Sequence, residues 1–384
     1  MPEYLPPGVY VEQTSFQSKP IEGVPTSTAG FIGPCHKGPI KRAILVTSLA
    51  EFERTYGSGR GPNYTWHAVR AFFEEGGRRL YVARAPRWTA GDCRKALKCF
   101  EAIEEISIVA APGSTFGAAG TAIAKALIEH AERMRYRFAV LDSGPGQTIE
   151  QVRAMRARLT SAKAALYYPW VRVKDPTKAG ELSLPPSGFV AGIYARVDIS
   201  RGVHKAPTNE AVTLADGLDH TVTEASLAAL NKESINFIRV FGPGNFRIWG
   251  GWTLSRASGS KYINVRRLFI YLEHSIDKGT QWAVSEPNGE RLWANIRRAV
   301  EDFLMIEWRS GALSGTKPEE AFFVKCDRST MTQADLDQGR LICLIGVAVV
   351  RPAEFVIFRI GQWTADRPAS HPKRRRRSVR RRAR

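Results

Sequence analysis

The chain has 384 residues, 43% of them hydrophobic and 10% aromatic, which is enough apolar mass for a sizeable core and two domains, and excludes a disordered protein. The formal net charge is +19, of which nine positive charges lie in KRRRRSVRRRAR (373–384), leaving +10 for the rest. The basicity therefore describes an appendage as much as a fold.

The five cysteines, Cys35, Cys93, Cys99, Cys326 and Cys343, are odd in number and scattered, which argues against a disulfide framework and for synthesis in a reducing compartment. Cys326 and Cys343 sit in apolar runs, where a buried free thiol is the ordinary reading. The start, MPEYLPPGVY, has neither a basic n-region nor an apolar h-region, so no secretory signal is expected. A role outside the cell would then require lysis or departure within a larger assembly.

Residues 1–22 read as an arm carrying one strand. Val9, Val11 and Gln13 face one way and Tyr10, Glu12 and Thr14 the other, with Pro6, Pro7 and Gly8 before them and Pro20 after. A lone terminal strand cannot stabilise itself, so it must dock elsewhere. From 23 to about 255 strand and helix patterns alternate. GFIG, RRLYVARA, ISIVAAPG, YRFAVLDSG and AALYYPWVRV are strands, separated by helices such as TWHAVRAFFEEGG, a segment around 93–104, TFGAAGTAIAKALIEHAERMR and Thr148 to about Ser161. This alternation predicts a largely parallel sheet covered on both faces. PPSGFVAGIYARVD follows as a short helix with proline at its start, then the loop RGVHKAPTNEAV, strands in TLADGLDHTV and INFIRVFGPGNFRIWGGWTL, and the helix EASLAALNK between them.

Little in this body looks catalytic. The glycine loops APGSTFGAAG (111–120) and DSGPGQT (142–148) follow strands and precede helices, where exposed N–H groups can cradle phosphate. Neither contains G-x-x-x-x-G-K-[ST] or a complete dinucleotide fingerprint, so ordinary strand-to-helix turns are the plainer reading. No G-x-S-x-G elbow occurs, and GALSG (311–315) has the wrong spacing. The seven histidines show no metal-ligand spacing, and Cys93 and Cys99 point different ways on a helix. Asp335 and Asp337 could face a cation, but a solvated helix capped by Thr332 explains them better. His204 and Lys205 are the best polar candidates for anything special. No catalytic residue, cofactor site or metal site is assigned.

A second domain is expected from about 256 to 366, opening with the helix YINVRRLFIYLEHSI. In EPNGERLWANIRRAVEDFL a turn at Pro287, Asn288 and Gly289 leads into a helix whose Leu292, Ile296, Ala299, Val300 and Phe303 form one apolar face. Arg291, Asn295, Arg298 and Asp302 share the other, with Arg297/Glu301 and Arg298/Asp302 spaced to pair. Three strand-like runs follow, AFFVKCD (321–327), LICLIGVAVV (341–350) and EFVIFRI (354–360). The middle run, apolar without alternation, predicts a strand covered on both faces and is too short to span a bilayer. In the last, Phe355 and Ile357 point one way and Val356, Phe358 and Ile360 the other, flanked by Glu354 and interrupted by Arg359. Such an edge must be covered within its own domain or shared with another chain.

These segments resemble a known family. EPNGERLWANIRRAVEDFL, WRSGALSGTKPEEAFFVKCD, MTQADLDQGRLICLIGVAVVRPAEFVIFRI and KYINVRRLFIYLEHSIDKGTQWAV are similar to the C-terminal domain of contractile-tail sheath proteins of phage tails, R-type tailocins and related injection systems. PPSGFVAGIYARVDISRGVHKAPTNEAV and PPGVYVEQ with KPIEGVPTSTAGFIGPCHKGP resemble the same family, and the likeness is patchy between about 88 and 180. The resemblance implies an outer α/β body with a mixed sheet, most variable over 89–200, plus an α+β C-terminal sheath domain. It also implies extended terminal strands exchanged between subunits, here Val9–Thr14 and Glu354–Ile360.

The function it implies is a non-enzymatic sheath subunit, polymerised as a helical stack of six-subunit rings around an inner tube. Contraction of that stack would drive the tube into a target membrane. Implied partners are further copies of the chain, the inner tube protein and baseplate and terminator or cap proteins, without specific nucleic-acid recognition or direct membrane insertion. The particle would be a phage tail or tail-like assembly, free in the cytoplasm or released by lysis. Arg291, Arg297 and Arg298 are candidate tube contacts. The arginine tail (367–384) departs from the family pattern. It reads as a solvated charge run, as a non-specific nucleic-acid contact, or as a contact to an acidic partner such as the tube. Two alternatives stay open: an α/β nucleotide- or nucleic-acid-binding enzyme with a basic tail, and a sheath-related baseplate or terminator component.

Overall fold

Short apolar runs that alternate with amphipathic helices bury both faces of each strand only in a parallel sheet with helices above and below. A computed structural model, which describes residues 20–59 and 63–352, contains such a sheet. Its strands are β1 (Ala29–Gly33), β2 (Ala43–Val46), β3 (Leu80–Arg84), β4 (Ile108–Ala110), β5 (Phe138–Asp142) and β6 (Ala164–Tyr168). After β7 (Val171–Lys174), β8 (Glu181–Leu184) and β9 (Gly217–Leu218), the sheet is completed by β10 (Asn236–Val240) and β11 (Phe246–Trp249). The order is β11-β10-β6-β5-β4-β1-β3-β2. The six inner strands are parallel, and β2 and β11 close the two edges antiparallel.

Helices cover both faces, as the alternation predicts. Helices α1 (Leu49–Tyr56), α2 (Tyr64–Glu74) and, later in the chain, α6 (Ser187–Arg201) pack on one face against Phe31, Val82, Phe138 and Val140. On the other, α3 (Ala90–Lys98), α4 (Gly120–Arg133), α5 (Ile149–Ala157) and α7 (Glu224–Lys232) pack against Ile32, Ala83, Val109 and Leu141. Caps start these helices where the sequence offers them. Thr148 and Gln151 form a reciprocal capping box at α5, and Ser48, Asn63 and Thr89 accept from the first turns of α1, α2 and α3.

Three local expectations change. AALYYPWVRV is two strands rather than one: Pro169 lacks an N–H to extend the ladder, and the chain leaves the main sheet there so that β7 joins β8 and β9 in a separate three-stranded sheet. The helix after Pro186 is fifteen residues long rather than short, because burial of Phe189 through Val197 against the sheet outweighs the modest helix propensity of its β-branched and glycine residues. TLADGLDHTV contributes only the two residues of β9.

A third apolar core lies beyond Ser255. It is built by α8 (Ile263–Gly279), α9 (Glu290–Arg309), α10 (Pro318–Ala321), β12 (Phe322–Lys325), α11 (Gln333–Asp337) and β13 (Leu344–Val347). Ile21 is part of this core and packs against Gly279, so the first described residues of the chain belong to its C-terminal cluster.

One buried ion pair joins that cluster to the α/β body. Arg267 on α8 and Asp198 on α6 have side chains only 4% and 2% exposed and meet through two bonds of 2.9 and 2.6 Å. The same guanidinium donates to the Thr26 carbonyl at 3.0 Å and stacks over the Tyr194 ring, whose hydroxyl meets that of Tyr167 at 2.7 Å. Nearby, the fully buried Glu75 carboxylate accepts from Arg196, the Thr213 and Leu214 amides and the Thr213 hydroxyl, fastening the loop after α6 to the end of α2. Both charges are paired on every side, the condition for burying them.

Two measurements check this arrangement. Asp198→Ala leaves a guanidinium buried without its partner and is expected to lower stability by about 3–5 kcal/mol. The double variant Asp198→Leu/Arg267→Met is expected to lose less than Asp198→Ala alone in the same denaturant titration. The second concerns Asp142, whose carboxylate accepts from the Ser187 amide (2.7 Å) and hydroxyl (2.8 Å) at the start of α6. Burial pushes its pKa up to about 7, against these hydrogen bonds. The fold therefore holds a proton that the unfolded chain releases near pH 4, so this group's stabilising contribution is complete at low pH and is lost as pH rises to about 7. Asp142→Asn is expected to gain on the wild type by about tenfold in the folding constant per pH unit across that window, read from paired pH-dependent denaturation curves.

Candidate assembly surface

Helix α9 is placed by the turn that the sequence predicts. Gly289 is its N-cap and Asn288 accepts from the Trp293 indole at 2.7 Å. Leu292, Ile296, Ala299, Val300 and Phe303 are all buried, as their spacing requires, and Trp293 and Leu304 join them. On the opposite side Arg291, Ala294 and Arg298 are exposed. Arg297 is half-buried and turned toward the strands, lining a hollow with Glu290, Trp293, Cys326, Asp327 and Arg328. The three arginines thus do not share one face: Arg291 and Arg298 point outward and Arg297 inward. Among the described residues neither Arg297 nor Arg298 closes an ion pair with Glu301 or Asp302, despite the favourable spacing.

Strands β12 and β13 lie against this helix as an antiparallel pair, with Phe322 opposite Val347 and Lys325 opposite Leu344. Among the described residues no third strand joins them. Val324 and Cys326 turn inward and are buried, while Phe323 (55% exposed) and Leu344 (50% exposed) turn outward, with the Phe323 ring lying over Gly346. Ile345, Val350 and Ile306 on α9 add further exposed apolar surface. The expectation of a middle strand covered on both faces is therefore corrected. Within this subunit one face of LICLIGVAVV packs on the core and the other is open, because two strands and one helix layer can cover only one side.

Both chain segments leading to the predicted arms are rooted in this cluster. The Val24 amide donates to Ser275 Oγ at 3.1 Å, and Arg267 holds Thr26. At the other end the Ala348 amide donates to the Ala321 carbonyl and the Ser314 amide to the Ala348 carbonyl, both at 2.7 Å, while Asn264 reaches the Val350 carbonyl. The arm residues Val9, Tyr10, Val11, Glu12, Gln13 and Thr14 lie outside the described residues. So do Glu354, Phe355, Val356, Ile357, Phe358, Arg359 and Ile360, and the arginine tail.

The polar candidates of the body are occupied within the subunit. Lys205 donates to the carbonyls of Ala206 and Thr208 and to Glu210, and the His204 carbonyl accepts from Asn264. Burial, and then the charge of Arg201, hold the His204 ring below the usual histidine pKa. The loop at 142–148 spends its donors internally, the Gly144 amide on Gln147 and the Thr148 amide on Gln151. Gly113, in the loop at 111–120, takes a positive φ of 89° to enter a short 3-10 turn. Thr332 caps α11 in a capping box with Asp335, which also pairs with Arg340 at 2.6 Å. Among the described residues no cluster of three metal-ligating side chains occurs, and no helix is long and apolar enough to cross a membrane.

Sequence reasoning missed the open face of the strand pair. The signal was present in the register, since Phe323 and Leu344 fall at outward positions once Val324 is placed inward, but register needs the partner strand to be known.

Comparison with known proteins agrees with this architecture. The phage tail sheath protein central domain matches residues 88–254 and the phage tail sheath C-terminal domain matches residues 257–362. A prophage major tail sheath protein of Pseudomonas aeruginosa is 25% identical over 266 residues, 67% of this chain and 66% of that protein. The tail sheath protein of Escherichia phage P2 is 23% identical over 202 residues, 50% of this chain and 48% of its own. The chain thus spans about half to two thirds of these curated relatives. Among solved structures, the helical sheath of the anti-feeding prophage in its contracted state superposes with a TM-score of 0.81 at 31% identity, over 93% of this chain and 99% of that one. A chain from the baseplate of the same particle superposes at 0.78 and 30% identity, over 94% of this chain and all of that one. The contracted sheath complex of the extracellular contractile injection system PVC superposes at 0.79 and 29% identity, over 94% and 99%. By sequence domains, overall fold and full-length coverage of these sheath chains, this protein belongs to the contractile tail sheath protein family.

Proposed function

We propose that this chain is the structural sheath subunit of a contractile injection machine, and that it polymerises through its two terminal arms. The observation that carries the reading is the strand pair β12–β13, two strands wide among the described residues, flanked just past the end of β13 by the single bridge of Leu313 with Val349, and with an apolar face open to solvent. A two-stranded sheet of this kind is marginal alone, and its edges offer main-chain donors and acceptors to any extended segment. The sequence offers two segments expected to be extended, Val9–Thr14 and Glu354–Ile360, and the stretches leading to both are anchored in the C-terminal core by Ile21, Val24 and Ala348. The match to the sheath C-terminal domain runs to residue 362 and so includes the second arm.

Each arm adds as a strand to the pair of a neighbouring copy, with main-chain hydrogen bonds worth about 1 kcal/mol net apiece and Phe and Ile side chains on the open face. Donor arm and acceptor edge are different surfaces, so the contact is heterologous, and a rotation that does not close produces a helix of subunits. The likeness to contracted sheaths supports a stack of six-subunit rings around an inner tube, with baseplate and terminator proteins at its ends. Shortening of the stack then drives the tube into a target membrane. The work comes from repacking of the bodies while the arms hold neighbours together, and the particle is a phage tail or tail-like assembly. Arg291 and Arg298, both exposed on α9, are the candidates for tube contact. Arg297, facing the strand pair, is the weaker of the three.

Electron microscopy of the purified protein tests the reading: hollow helical filaments are expected, and discrete particles with salt-sensitive nucleic-acid binding would replace it with the enzyme alternative. Deletion of residues 1–19, which spares the buried Ile21, is expected to leave a folded subunit that no longer forms filaments. Normal filaments from that deletion would remove the arm from the mechanism. Arg298→Glu is expected to weaken co-assembly with the tube at low salt, measured by co-sedimentation, with little effect on filaments of sheath alone.

A further inference from the structure

The register of the strand pair continues past its last bonded residues. Phe322 faces Val347 and Lys325 faces Leu344, so the next rung sets Cys326 opposite Cys343. The bond from the Ala348 amide to the Ala321 carbonyl fixes the phase of the ladder. The rungs 321/348, 323/346 and 325/344 are of the hydrogen-bonded kind, and 322/347, 324/345 and 326/343 are of the close, non-hydrogen-bonded kind. Rungs of that second kind hold Cα atoms about 4.5 Å apart with the side chains together, inside the span of about 4.4–6.8 Å that a disulfide requires. Both cysteines are free, Cys326 buried and Cys343 half-buried. Each thiol is the largest influence on the other: the Cys343 thiol lowers the pKa of Cys326, helped by Arg297, and Cys326 raises that of Cys343. Cys35 and Cys93 differ, with burial pushing each thiol up to about 12.

We propose that Cys326 and Cys343 form a redox modification site, closing an intrachain cross-strand disulfide when a peroxide is present. The Cys326 thiolate attacks one peroxide oxygen; the O–O bond breaks, and the departing hydroxide takes up the proton that Cys326 released and leaves as water. The Cys343 sulfur then attacks the resulting sulfenic sulfur, the S–S bond forms, the S–O bond breaks, and the second water carries away the Cys343 proton. Two thiols are oxidised by two electrons and one peroxide is reduced to two waters. The product ties off the loop that carries α11 and fixes the end of the strand pair. The chemistry of the site does not rest on the assembly reading, so either can fail alone.

The test uses the full-length protein with and without hydrogen peroxide, followed by alkylation under denaturing conditions, thiol counting and peptide mapping. The expected result is loss of two of the five thiols, a single peptide linking Cys326 to Cys343 within one chain, and full recovery with dithiothreitol. Cys326→Ser and Cys343→Ser are each expected to abolish the link, with circular dichroism checking their fold, and the wild-type peptide map decides if either variant unfolds. Loss of no thiols, sulfinic acid on either residue without a link, or links that involve Cys99 or join two chains would overturn the proposal.

Discussion

Two strands cannot bury two faces, and this limit governs the C-terminal part of the molecule. The pair β12–β13 covers its inner side with α9, while among the described residues its outer side stays open and no third strand extends it, the stretch at Leu313 and Ser314 meeting it just past β13. In a protein meant to stay monomeric, such edges are guarded by charge, proline or a covering element. Here Lys325 is the only charged residue on the two strands, and Phe323 and Leu344 stand in the open. The surface makes physical sense as one part of a larger sheet.

The rest of the subunit behaves as a support for that surface. The doubly covered parallel sheet supplies a stiff body, and the C-terminal core is joined to it through the pairing of Arg267 with Asp198 and the hold of Arg267 on Thr26. Glu75 and Arg196 fasten the loop after α6 in the same way. These groups are charged and buried, the arrangement that elsewhere suggests an active site. Each is matched by a partner in fixed geometry. A structural account of their perturbed surroundings is sufficient.

Much of this architecture was legible from residues alone. The alternation of β-rich runs with amphipathic helices determined the sheet, and the spacing of Leu292, Ile296, Ala299, Val300 and Phe303 determined the buried face of α9. Thr332 announced its cap three residues ahead of Asp335. What stayed hidden was pairing at long range. Arg267 sits on a helix in the pattern of a solvent-facing residue, and nothing local tells that Asp198, 69 positions earlier, waits for it. AALYYPWVRV reads as one strand until the sheet is seen to end at Tyr168. The apolar density of LICLIGVAVV was read as depth in a core, when depth in an isolated subunit and contact across a join leave the same composition.

A seam closed to water is also closed to dissolved ions. Surface charge pairs lose strength over about 8–10 Å of screening at ordinary ionic strength, whereas the Arg267–Asp198 contact, with almost no exposed area, lies out of their reach. Brine therefore weakens the exposed charge pairs and leaves this buried contact between the C-terminal core and the α/β body untouched.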